Sequence, residues 1–124
     1  MYEQGLTFEP GVTRDLLVHC ETYTITRLRI QCGVSPSYHS HENAQAVYIL
    51  DGSGIFRVGK NYFPLTKGDT MQISPCVRHG FQSVSKTVEM LEFFVPARED
   101  IAQYHLRKNP QPTVVNSDGM EEHL

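Results

Sequence analysis

The sequence predicts an all-β fold, either a sandwich or a barrel, that ends in a short helix or arm. Short runs rich in β-branched and aromatic residues recur along the chain, and glycine- and proline-containing turns separate them. Only one segment, near the end of the chain, has apolar residues at helical spacing. A length of 124 residues suffices for one domain.

Each element is supported by a local pattern. The strand-like runs are 16–20, 23–30, 45–50, 55–58, 62–65, 70–73 and 87–95. In the second run Thr24, Thr26 and Leu28 share a face, because alternate residues of a strand point the same way. The glycines of 51–54 predict a turn between the third and fourth runs, and 59–61 predicts a hairpin loop.

A helix is predicted over 97–107, where Ile101, Tyr104 and Leu106 form an apolar side. Prolines stop it shortly afterwards, and the last dozen residues have little patterning. We therefore expect a tail after the helix.

The composition argues against several kinds of partner. Charged residues make up 20% of the chain and the formal net charge is −3, whereas nucleic-acid binding requires a clustered basic excess. No apolar run approaches membrane-spanning length, and the first ten residues do not resemble a secretion signal. Three cysteines without a CxxC pair indicate reduced thiols. We expect a cytoplasmic protein that binds neither nucleic acid nor a membrane.

Three histidines and a glutamine have the spacing of a metal site. His39 and His41 are two residues apart, so in a strand their side chains point to one face. Gln45 keeps that face if the strand continues or bends, and His79 returns to the same interior in a closed barrel. Imidazole ligands favour nickel, zinc, manganese or iron, so we expect one divalent transition metal ion. The alternatives are that Gln45 lies behind a three-histidine site, or that the histidines are core or surface groups.

The two segments around these residues resemble the two motifs of the cupin family. The residues that match the first motif are Gly33, His39, His41 and Gly52, with Gln45 where most cupins have glutamate. Those that match the second are Gly68, Asp69, Pro75 and His79, with Cys76 and Ser83 in place of a usual glycine and asparagine. The resemblance implies a double-stranded β-helix, or jelly-roll, barrel. We accordingly divide the chain into an N-terminal arm (1–15), the cupin β-barrel (16–100) and a C-terminal helix and tail (101–124).

The neutral side chain of Gln45 has a chemical consequence. Three imidazoles and an amide leave the charge of a divalent ion uncompensated by any ligand carboxylate. Such a centre acts as a Lewis acid and binds anionic oxygen. We therefore expect a small anionic substrate, such as a carboxylate or an enolate.

A second resemblance concerns the segment LEFFVPARED at 91–100. It is similar to the end of the KdgF-type pectin-degradation cupins, which open the ring of 4,5-unsaturated uronate monosaccharides to give linear 4-deoxy-5-keto-uronates. Those proteins also carry His-x-His followed by Gln, and the resemblance runs from about residue 14 to residue 100. It implies that Glu92, Phe94 and Arg98 are catalytic, with Glu92 replacing the family aspartate.

The position of Glu92 is unusual even without the family. It shares a strand face with Met90 and Phe94, and a buried, unpaired carboxylate costs several kcal/mol. It therefore requires a partner, such as Arg98, a histidine or a metal ion. We expect burial to raise the pKa of Glu92 towards neutrality and so to suit it to proton transfer. The alternative is an ion pair with Arg98 at the rim of the barrel.

The resemblance to the KdgF-type cupins implies a metal-dependent isomerase of unsaturated sugar uronates that acts in pectin degradation. We expect a homodimer, because a small barrel must cover an edge or a face of one sheet. Two alternatives stay open. One is another metal cupin enzyme, such as a dioxygenase, lyase or dehydratase, and the other is a non-catalytic cupin that binds a sugar or an effector.

Overall fold

The computed structural model describes residues 6–108, which form one bent antiparallel sheet and a short C-terminal helix. The strands are β1 (Leu6–Glu9), β2 (Val12–His19), β3 (Thr24–Ile30), β4 (Ala44–Val58), β5 (Asn61–Thr66), β6 (Thr70–Ile73) and β7 (His79–Val95), and the helix is α1 (Glu99–Lys108). The strand order is β1-β2-β3-β7-β4-β5, and β6 also pairs with β4. The predicted all-β class and short C-terminal helix are confirmed.

The long strands β4 and β7 pair from Ala44–Val95 at one end to Val58–His79 at the other. The sequence predicted a turn at 51–54, but β4 continues through that segment with three shifts of register. Gly52 has a φ of +84°, and a Cβ at Gly54 would lie 2.3 Å from the Gln82 carbonyl oxygen. The predicted turn is therefore wrong, because these glycines serve bulges and a close approach of two strands.

The sheet also begins earlier than predicted. β1 and β2 pair with each other, so residues 6–15 of the predicted N-terminal arm belong to the sheet. Val12, Arg14 and Leu16 occupy alternate positions opposite Ile30, Leu28 and Thr26 of β3. Because Arg14 interrupts the alternation of apolar residues, the sequence pattern did not indicate that this side of β2 faces inward. Residues 1–5 lie outside the described part of the chain.

The helix α1 packs across one end of the barrel. Ile101 and Ala102 are buried against Leu16 and Phe94, with Leu106 beside them. The helix begins at Glu99, two residues later than predicted. Glu99 and Asp100 lie in its first turn, where negative charge interacts favourably with the helix dipole. Residues 109–124 of the predicted tail lie outside the described residues. No helix within 6–108 is long and apolar enough to cross a membrane.

Candidate metal centre

The structure brings three of the predicted ligands together. One ligand atom from each of His39, His41 and His79 lies within 4.8 Å of the others. His79 begins β7, and His39 is held to it by two backbone hydrogen bonds of 2.9 and 2.7 Å. His39 therefore lies in an isolated bridge rather than in the continuous strand that we expected. Three histidines so placed can bind a metal ion.

The protonation of these rings is set by backbone carbonyl groups. Each Nδ1 contacts one carbonyl oxygen, in the pairs His39–Ser37 (2.7 Å), His41–Asn43 (3.1 Å) and His79–Val77 (2.9 Å). A carbonyl oxygen only accepts, so each Nδ1 carries the proton and each Nε2 presents a lone pair. The Nε2 of His79 is buried and has no hydrogen-bond partner within the described residues. Metal-binding histidines show this arrangement, so the residues present fit a divalent metal ion.

Gln45 approaches the histidine cluster through its amide oxygen. Its Oε1 lies 2.9 Å from His41 Nε2, and its Nε2 donates to Glu92 Oε2 at 3.0 Å. Because both Oε1 and the lone pair of His41 Nε2 are acceptors, their close approach is favourable only with a cation or a proton between them. The geometry is compatible with a ligand role for Gln45, which stays a prediction.

Burial and nearby positive charge lower the pKa of two of these histidines. Burial, with the neighbouring His39 and His41, lowers the pKa of His79 from 6.5 to about 4. Burial and the charge of Arg98 also lower the pKa of His41. Neutral imidazole is the form that binds metal, so both rings are ready to bind at neutral pH without releasing a proton.

Glu92 is buried beside this cluster, with 6% of the residue exposed. Its Oε1 accepts hydrogen bonds from the Arg14 guanidinium at 2.8 Å and from the Thr26 hydroxyl at 2.9 Å. Burial raises the pKa of Glu92, but the charge of Arg14 and these hydrogen bonds lower it by more, so the pKa lies below its usual range. The predicted rise towards neutrality is therefore wrong.

Arg98 does not pair with Glu92, so the alternative of a Glu92–Arg98 ion pair is wrong as well. Its guanidinium donates to Asp100 at 2.9 and 2.6 Å. The same group lies over the ring of Phe94, 5.0 Å from its centroid. The backbone N–H of Arg98 donates to the hydroxyl of buried Thr24 at 2.7 Å, which fixes this corner to β3.

A cavity of about 220 Å³ joins these groups. Its polar lining comprises Glu9, Arg14, Ser37, His39, Gln45, His79, Glu92 and Arg98, and its apolar lining includes Leu28, Ile30, Phe56, Phe81, Met90 and Phe94. Sites for drug-sized ligands span roughly 300–1,000 Å³, so this cavity suits a smaller metabolite. Arg14 and Thr26 were not predicted as part of the site, because the only signal in the sequence is their inward register on the adjacent strands β2 and β3.

Known proteins share this fold. KdgF from Halomonas sp. superposes with a TM-score of 0.77 at 21% identity, over 80% of this chain and 91% of that chain. An RmlC-like cupin from Shewanella frigidimarina superposes with a TM-score of 0.75 at 24% identity, over 79% and 87% of the two chains. At these identities the likeness shows the fold alone.

Sequence comparison finds shorter matches among enzymes. The (S)-ureidoglycine aminohydrolase of Arabidopsis thaliana and the probable one of Oryza sativa subsp. japonica are each 34% identical to this chain over 47 residues, or 38% of its length. The match spans only 16% and 15% of those proteins, respectively. The cupin domain model, by contrast, matches residues 26–95, more than half of the chain. This protein therefore belongs to the cupin domain family and is a small cupin that resembles KdgF.

Proposed function

We propose that this cupin is a metal-dependent isomerase that opens the ring of 4,5-unsaturated uronate monosaccharides to linear 4-deoxy-5-keto-uronates. The observation that carries the proposal is a set of neutral candidate ligands next to a small cavity lined by two arginines, Arg14 and Arg98, and two carboxylates, Glu9 and Glu92. Neutral ligands leave a bound cation fully charged, and guanidinium groups match carboxylates. Both features favour a small acidic sugar.

The ion would be held by His39, His41, His79 and the amide oxygen of Gln45. When bound there, a divalent metal supplies Lewis-acid polarisation of the sugar oxygens. We propose nickel, zinc, manganese or iron, because imidazole nitrogen suits these metals.

Arg98 and Phe94 would hold the substrate. The present partner of Arg98 is Asp100, whose side chain is 66% exposed, so water weakens that ion pair. A substrate carboxylate inside the cavity can therefore replace Asp100 and accept two hydrogen bonds from the guanidinium. The ring of Phe94, held beside Arg98, then forms one wall of the sugar site.

Glu92 would move the proton. Its Oε1 accepts from two donors, whereas among the described residues Oε2 accepts from Gln45 alone and retains a lone pair that can take a proton. The hydroxyl at C1 loses its proton to Oε2, the C1=O bond forms, and the bond from C1 to the ring oxygen breaks. The electron pair of the broken bond stays on the ring oxygen and forms an enolate, which then takes up the proton at C4. A positioned base contributes about 100- to 10,000-fold to such a transfer.

The proposal includes a cytoplasmic homodimer. Exposed Tyr48, Phe93 and Val95 lie on the outer face of the paired strands β4 and β7, where a second copy would cover them. The exposed free thiols of Cys20, Cys32 and Cys76 suit a reducing compartment. Light scattering of the purified protein tests the dimer, and a monomer at micromolar concentration would contradict it.

The activity is tested by incubating the metal-loaded protein with a 4,5-unsaturated uronate and following the loss of alkene absorbance. We expect turnover that EDTA abolishes and that Arg98→Ala weakens mainly through a higher KM. Glu21→Gln, an exposed carboxylate change, is the control. A folded, metal-loaded protein that leaves the absorbance unchanged would contradict the proposal.

A second candidate is hydrolysis of a small ureido compound. The local 34% identity to ureidoglycine aminohydrolases favours it. Release of ammonia from ureidoglycine, without any reaction of the uronate, would support this candidate over the isomerase.

A further inference from the structure

Glu92 and Gln45 form a buried pair beside the histidine cluster, with 6% and 4% of each residue exposed. The Arg14 guanidinium and the Thr26 hydroxyl both donate to Glu92 Oε1, so Oε2 is the oxygen that faces Gln45. On the other side, the amide of Gln45 faces His41. Gln45 therefore lies between an acceptor-only carboxylate and an imidazole lone pair.

We propose that Glu92, besides the proton transfer assigned to it above, positions the Gln45 amide with its oxygen towards the histidines and its nitrogen away from them. The inference rests on the metal centre of the proposed function. The two ends of an amide have nearly the same size but opposite hydrogen-bonding character. Shape alone therefore does not select the orientation, whereas a carboxylate at Glu92 accepts only from the NH₂ end.

The opposite orientation would block the centre. The NH₂ group of Gln45 would then lie 2.9 Å from His41 Nε2, at the place that the oxygen now occupies. There it would donate to the lone pair that a metal ion needs, and it would offer no ligand atom itself. Metal affinity therefore depends on a side chain that does not touch the ion.

Glu92→Gln tests this because it preserves size and inverts one hydrogen bond. Arg14 and Thr26 both donate to the Oε1 position, so the new amide keeps its oxygen there and turns its NH₂ group towards residue 45. Gln45 must then rotate to accept that group, and its own NH₂ faces His41. We expect nickel affinity to fall about 10- to 100-fold, the range seen when groups that orient metal ligands are removed.

Gln45→Glu in the Glu92→Gln background provides the matched rescue. A carboxylate at position 45 accepts from the new amide and still presents an oxygen to the histidines. We expect the double variant to bind nickel at least as tightly as the wild type. Glu21→Gln, an exposed change of the same type, should leave the affinity unaltered.

Titration calorimetry with nickel(II) at pH 7.5, with circular dichroism to verify folding, decides the matter. A lower nickel affinity in Glu92→Gln, with the wild-type affinity recovered in the double variant, supports the inference. Unchanged affinity in folded Glu92→Gln, or equal loss in both variants, overturns it. A wild type that binds no nickel overturns the metal centre of the proposed function instead.

If Glu92→Gln does not fold, NMR of the wild type replaces it. Nuclear Overhauser effects from the Gln45 NH₂ protons to Thr26, on the Glu92 side, support the inference. Effects to the ring of His41 instead would overturn it.

Discussion

Replacing Arg14 with leucine would remove the ion-pair partner of Glu92 and leave its carboxylate with neutral hydrogen-bond donors. Arg14 Nη2 lies 2.8 Å from Glu92 Oε1, and the two side chains are 14% and 8% exposed. Removing one member of a buried ion pair leaves an uncompensated charge and costs about 3–5 kcal/mol. We expect the free energy of unfolding at pH 7.5 to fall by this amount.

The loss of unfolding free energy in Arg14→Leu should depend on pH. In the wild type the pKa of Glu92 lies below its usual 4.5, so its stabilising contribution is present above that pH and is lost as the pH falls further. Without Arg14, burial should dominate and raise the pKa of Glu92 above 4.5. The folded variant then binds a proton more readily than the unfolded chain. Its free energy of unfolding should therefore be far below that of the wild type at pH 7.5 but close to it near pH 4.

Urea denaturation of the metal-free proteins at both pH values measures this deficit. Arg27→Leu is the matched control on the same sheet: Arg27 lies 2.9 Å from Asp15 Oδ2, but Arg29 also reaches that oxygen at 3.1 Å. Because Asp15 keeps a partner, the control should lose less than about 1 kcal/mol. A loss in Arg14→Leu no larger than in the control, or equal at both pH values, would refute this reasoning.

Three further predictions concern local features. Cys76 has a φ of +67°, a conformation that costs an L-residue about 1–2 kcal/mol. Cys76→Gly should therefore raise the Tm measured by calorimetry by a few degrees, and a lower Tm would contradict this. Gly54→Ala puts a Cβ 2.3 Å from the Gln82 carbonyl oxygen, so the free energy of unfolding in denaturant should fall by about 1–3 kcal/mol. An unchanged free energy of unfolding would mean that the two strands move apart easily. The metal-free protein should lose stability as the pH falls from 6.5 to about 4, because unfolded His79 binds a proton more readily than folded His79; a His79→Gln variant should lose less over that range.

Short-range spacing made much of the candidate site predictable. His39 and His41 are separated by one residue, and their motif partner His79 meets them as expected. The alternation of Thr24, Thr26 and Leu28 likewise gave the inward face of β3 correctly, because strand periodicity is a local property.

Long-range partners were not predictable. The pKa of Glu92 is lowered by Arg14, which is 78 residues away in the chain, so burial alone suggested the wrong direction. An ion pair between Glu92 and Arg98 was one alternative from the sequence, but Arg98 pairs with Asp100, two residues from it. Gly52 and Gly54 have the residue type of a turn, and only the pairing of β4 with β7 shows that they lie within a bent strand.

Metal stoichiometry tests the central claim, that His39, His41, Gln45 and His79 hold one divalent transition metal. The protein would be stripped with EDTA, reloaded with nickel, desalted and analysed by mass spectrometry for metal per chain. We expect close to one equivalent in the wild type and a sharp loss in the His39→Ala/His41→Ala double variant, with both proteins folded. No retained metal in the wild type, or full retention in the double variant, would contradict the claim.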